Sequence, residues 1–109
     1  MKESAIQNQI LDYLRLKGCF VWRNNSGAVF SEYKGKKRMI KYGLKGSADI
    51  IGLTKDGRFI AVEVKKKGRT KSKDGKPSPG QLDFIARINE KKGIGVIAYG
   101  LDDIIPIFK

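Results

Sequence analysis

Apolar positions recur in the first segment at Ile6, Ile10, Tyr13 and Leu14, with the amphipathic Lys17 continuing the same stripe. That i, i+4, i+7, i+8 spacing predicts a helix over Glu3–Lys17, stopped by Gly18. Cys19-Phe20-Val21-Trp22 is a short apolar run closed by Arg23-Asn24-Asn25-Ser26-Gly27, which reads as a buried strand followed by a turn. The pattern weakens from Ala28 to Lys45. There Val29–Tyr33 and Arg38–Tyr42 either pair as a hairpin across Lys34-Gly35-Lys36 or form a mobile basic loop. Apolar character then peaks at Asp49-Ile50-Ile51-Gly52-Leu53 and Phe59-Ile60-Ala61-Val62-Glu63-Val64-Lys65, two strands joined by a tight turn at Lys55-Asp56-Gly57.

Lys66 to Lys76 holds no hydrophobic residue but contains Gly68 and Gly75, the composition of a flexible loop. Ser78-Pro79-Gly80-Gln81 opens a second helix, with Ser78 as N-cap and Pro79 at its first position. Leu82, Phe84, Ile85 and Ile88 form its apolar face, Lys91 and Lys92 suit its C-terminus, and Gly93 ends it. Ile94–Tyr99 reads as a buried strand, and Leu101–Lys109 as a short tail with one helical turn before Pro106. The expected architecture is one α/β domain, residues 1–109, with helices flanking a central sheet in the order αβββαβ.

Turn geometry decides which residues of the central hairpin share a face. A two-residue loop at Asp56-Gly57 would pair Lys55 with Arg58, set Asp49 opposite Val64, and turn Asp49 and Glu63 to opposite faces. A three-residue loop, with Gly57 in the left-handed region, pairs Thr54 with Arg58 and sets Asp49 opposite Glu63. Lys-Asp-Gly suits the longer loop. Period two then adds Lys65 to the acidic face and turns Ile60, Val62 and Val64 away.

Charge changes the picture. The net charge is +12, and it is local. Lys34, Lys36, Lys37, Arg38, Lys41 and Lys45 form one stretch without an acid. Lys65, Lys66, Lys67, Arg69, Lys71, Lys73 and Lys76 form another against Asp74 alone. The rest of the chain is neutral, so these stretches predict a polyanion-binding face, with nucleic acid the favoured partner. Tyr33 and Tyr42 have the rings to stack on bases, but tyrosines beside a core commonly pack, and packing is the expectation. The single cysteine, Cys19, suits a reducing compartment. Without a membrane-length apolar run or a signal-peptide h-region, the expected location is the cytoplasm, with no membrane partner.

The chain has no histidine, which excludes a histidine general base and histidine zinc sites. Hydrolytic chemistry would have to rest on carboxylates, lysine and a hard metal ion. An acid in so apolar a strand as Glu63's costs free energy unless something compensates it. Asp49 and Glu63, with the main-chain carbonyl of Val64, are the oxygen donors expected to hold Mg²⁺, with Mn²⁺ as substitute. Lys65 is placed to hold the attacking water and offset charge on the phosphate.

Asp49 followed by Glu63-Val64-Lys65 resembles the PD-(D/E)XK nuclease signature. Lys45-Gly46-Ser47-Ala48-Asp49, Glu63-Val64-Lys65, Gly68 and Ser78-Pro79-Gly80-Gln81 are together similar to the VRR-NUC family, over nearly the whole chain. Ala48 stands where that family often has proline. The resemblance implies a PD-(D/E)XK core with a mixed sheet of about four strands and a metal-dependent DNA endonuclease. It further implies a homodimer selective for branched, Holliday-junction-like substrates. Asp49, Glu63 and Val64 would then bind metal, Lys65 would be catalytic, Gln81 would help orient the site, and Glu3 would add a carboxylate. Gln81 as the capping partner of Ser78, and Glu3 as a favourable acid at a helix N-terminus, remain open readings. So does a catalytically silent nucleic-acid-binding module on the same fold.

Overall fold

The structure is a computed structural model that describes residues 1–25, 27–66 and 76–108. Helix α1 (Glu3–Leu16) leads to β1 (Phe20–Arg23), a hairpin of β2 (Gly27–Tyr33) and β3 (Lys36–Tyr42), then β4 (Ile50–Leu53) and β5 (Phe59–Val64). Helix α2 (Pro79–Glu90) and β6 (Ile94–Ala98) follow, and a 3-10 turn at Leu101–Asp103 begins the tail. Four strands form one sheet in the order β1-β4-β5-β6, antiparallel except for the parallel β5–β6 pair. It is the mixed α/β arrangement expected, in the order helix, strand, strand, strand, helix, strand once the β2–β3 hairpin is set aside. That hairpin forms a separate two-stranded sheet.

The two helices cover opposite faces. Ile60, Val62 and Val64 of β5 pack with Ile6, Ile10, Leu11 and Leu14 of α1, with Val21 and with Ile104. Ala61, one residue out of phase, packs with Ala48 and with Ile85 of α2, beside Phe84 and Ile88. Each large apolar side chain buried this way stabilises the fold by roughly 1.5–3 kcal/mol relative to exposure, so the α1 face is the main core. Glu63 is in phase with Ala61, on the α2 face, which is why α2 can reach it.

Several expectations need correction. α1 ends at Leu16, with Lys17 as its C-cap, and Leu11 joins its buried face. Cys19–Trp22 is not a strand buried on both faces: Cys19 and Val21 are buried, but Phe20 is 70% and Trp22 41% exposed. β1 is an edge strand, with α1 over the Val21 face and α2 standing over β5 and β6 instead. Edge position also leaves β6 only half-buried except at Ala98. Leu82 is exposed rather than part of the apolar face of α2. The β2–β3 turn contains Lys34-Gly35 alone, because Lys36 pairs with Tyr33, and both turn residues take positive φ. Tyr33 does not pack. It is 71% exposed, on a hairpin that joins no larger sheet among the described residues. Among the described residues no helix is long and apolar enough to cross a membrane.

Candidate active site

The central turn has the three-residue form. Leu53 pairs with Phe59 and Ile50 with Val62, so the next step of the register sets Asp49 opposite Glu63. Thr54 N–H donates to Arg58 O at 2.8 Å, Gly57 N–H to Thr54 O at 3.0 Å, and Gly57 sits at φ +90°. A side chain there would be strained, and the glycine lets the loop close in this register. Thr54 Oγ1 tightens the turn by accepting from Arg58 N–H and donating to the Asp56 carboxylate.

At the open end of the hairpin, Asp49 Oδ2 accepts from Val64 N–H at 2.8 Å. A strand residue turns its N–H and C=O to the same edge, so the Val64 carbonyl also points to the Asp49 side. Glu63 is the one buried charged residue among those described, 3% exposed. Its Oε1 accepts from Gln81 Nε2 at 3.0 Å and lies 3.9 Å from Lys65 Nζ. Its Oε2 is buried without a hydrogen-bond partner. Burial, reinforced by the Asp49 carboxylate, pushes the Glu63 pKa up to about 8; Lys65 pulls the other way.

Gln81 caps α2 and hydrogen-bonds Glu63 at the same time. Its Oε1 accepts from Ser78 N–H at 2.8 Å while Ser78 Oγ accepts from Gln81 N–H at 3.2 Å, a complete capping box at the start of α2. The cap fixes the side chain, and the fixed side chain holds Glu63. Glu3, Lys65, Lys76, Pro77, Ser78, Pro79 and Gln81 line one open cleft. Glu3 reaches the cleft from α1, and its charge adds to the upward pressure on Glu63. It stands outside the carboxyl pair, however: no group of three or more His, Cys, Asp or Glu side chains is disposed to hold a metal ion among the described residues. The donors brought together are Asp49, Glu63 and the Val64 carbonyl.

The loop before Asp49 is held by residues that periodicity alone does not single out. Asn24 N–H donates to Asp49 O at 2.8 Å, and Asn24 Nδ2 donates to Ser47 Oγ at 2.7 Å and Ala48 O at 3.0 Å. Gly46, at φ +81°, runs so close to α2 that a Cβ there would meet Gly80 O at 3.0 Å. The legible sign was Asn24 at the close of an apolar run with Gly46-Ser47 just before the acid. Which groups Asn24 would reach depends on the β1–β4 pairing, which local sequence does not give.

The basic residues fall into three places. Lys34, Lys36, Lys37, Arg38 and Lys41 are exposed on the β2–β3 hairpin, and Lys45 is exposed on the loop toward Asp49. Lys66 is half-exposed just past β5, and Lys76 lines the cleft. Lys67, Arg69, Lys71 and Lys73, with Gly68, Gly75 and Asp74, lie outside the described residues. No family model, curated protein or solved structure matches the chain.

Proposed function

We propose that this chain is a divalent-cation-dependent DNA endonuclease of the VRR-NUC type on a PD-(D/E)XK core, hydrolysing phosphodiester bonds. The observation that carries the reading is the Asp49–Glu63 pair: two carboxyls in register on neighbouring strand ends, one with a buried oxygen that has no hydrogen-bond partner, beside a cleft lined by Lys65 and Gln81. A purely structural acid would be satisfied, because a buried polar atom without a partner costs about 1–3 kcal/mol. Glu63 Oε2 is left free where a cation would bind. Carboxylate and carbonyl oxygens are the donors Mg²⁺ and Mn²⁺ prefer.

Asp49, Glu63 and the Val64 carbonyl would hold the ion, which when bound acidifies water and offsets charge gathering on a phosphate. Gln81 Nε2 occupies Glu63 Oε1 and leaves Oε2 as the ligand atom. Lys65 Nζ, on the same face, offers donors to the attacking water and to the non-bridging phosphate oxygens. The basic stretches supply the attraction for the DNA backbone. Selectivity for branched substrates and action as a homodimer belong to the same proposal and rest on the family resemblance.

The test is incubation of the purified chain with linear, nicked, flapped and four-way DNA in Mg²⁺, Mn²⁺ or EDTA. Cleavage is expected only with a cation and fastest on branched forms. Glu63→Ala and Lys65→Ala should each slow it by about 100-fold or more. Cleavage by either variant at the wild-type rate would overturn the proposal. DNA binding without any cation-dependent product would favour the silent binding module instead.

A further inference from the structure

The β2–β3 hairpin stands apart from the site, and its construction points to a particular way of holding DNA. Among the described residues its strands pair only with each other, from Gly27↔Tyr42 to Tyr33↔Lys36. Every side chain from Phe30 to Lys41 is exposed. A lone two-stranded ribbon is marginally stable in water, so one carrying Phe30 at 77% and Met39 at 49% exposure lacks a covering partner. Charge selects the partner. The hairpin holds five basic residues against Glu32, a net +4, which opposes the stacking of two copies and favours a polyanion.

The register distributes these charges over both faces. Ser31, Tyr33, Lys36, Arg38 and Ile40 share one face; Phe30, Glu32, Lys37, Met39 and Lys41 share the other. With either face toward bases, cations remain for the flanking phosphates. Two strands lie roughly 5 Å apart, and with side chains they fit the roughly 12 Å major groove of B-form DNA but not the roughly 6 Å minor groove. We infer that the β2–β3 hairpin is a ribbon arm that enters the major groove of the duplex DNA. This deepens, and rests on, the reading of DNA as the substrate.

Binding measured in EDTA separates this inference from the nuclease reading, because no cleavage is needed for the readout. The full chain would be titrated onto a labelled DNA duplex over a salt series, followed by fluorescence anisotropy. The comparison is between Lys36→Gln/Arg38→Gln/Lys41→Gln and a control, Lys91→Gln/Lys92→Gln, at the exposed C-terminal end of α2. The hairpin variant should bind about tenfold or more weaker near 0.1 M salt, with its log–log salt slope flattened by about 2–3. The control should stay within about twofold. Double-stranded RNA, whose major groove is deep and narrow, should compete poorly. The inference is overturned by a hairpin variant that binds like the control, by no duplex binding in EDTA, or by RNA duplex competing equally. It is also overturned if Phe30→Ser/Met39→Ser converts a stable dimer to monomer without weakening DNA binding.

Discussion

A carboxyl that is 3% exposed, bonded through one oxygen and next to a second carboxylate is favoured in this fold as the neutral acid. Its pKa of about 8 lies above the ordinary value of 4.5, so between those values the folded chain binds more protons than the unfolded chain. Stability contributed by Glu63 is therefore fully present below about pH 4.5 and declines as the pH rises through about 8. Glu63→Gln removes the titration while keeping the shape. In metal-free buffer this variant should be more stable than wild type at pH 8, by roughly 1–3 kcal/mol, and the difference should shrink toward pH 5. Thermal melts at several pH values measure this. A constant difference between the two proteins across that range would show that Glu63 titrates normally. Under the proposed function the same pressure would be relieved by a divalent ion, which removes the cost of charging both acids.

At the scale of elements, the site exists because three local devices agree. The Gly57 turn sets the register, the Ser78–Gln81 capping box fixes the side chain that reaches Glu63, and Asn24 ties the end of β1 to the Asp49 loop. Gly46→Ala tests the same loop from its α2 side. Its positive φ and the nearby Gly80 carbonyl leave no room for a methyl group, so the substitution should cost about 1–2 kcal/mol. It should also weaken cation binding by moving Asp49, whereas a loop indifferent to the site would lose stability alone. Much of this was legible in the chain. The choice between two registers reduced to Lys-Asp-Gly, and Ser-Pro-Gly-Gln announced the cap whose glutamine reaches Glu63. What was not legible was set by tertiary placement. The apolar run Phe20-Val21-Trp22 looks buried, yet only one face of an edge strand has a helix over it. The Asn24 bonds join segments more than twenty residues apart, and the exposure of Tyr33 follows from a hairpin that joins no larger sheet.

On the scale of the whole molecule, the chain divides its work. The four-stranded sheet, backed by α1, is the rigid frame; its α2 face carries the carboxyl pair at the strand ends; the hairpin carries positive charge outward. A frame that buries Glu63 loses stability when that acid ionises, and in the proposed function a bound ion would recover the loss while the hairpin charge would attract DNA. The claim on which the rest depends is that Asp49 and Glu63 together hold a divalent cation. Calorimetric titration of Mn²⁺ into the DNA-free protein near neutral pH tests it directly, in buffers of different ionisation enthalpy. Wild type should bind Mn²⁺ and release protons on binding, because Glu63 must ionise to ligate. Glu63→Gln should bind about tenfold or more weaker and release fewer protons. Equal binding by the two proteins, or binding by wild type without proton release, would contradict the account.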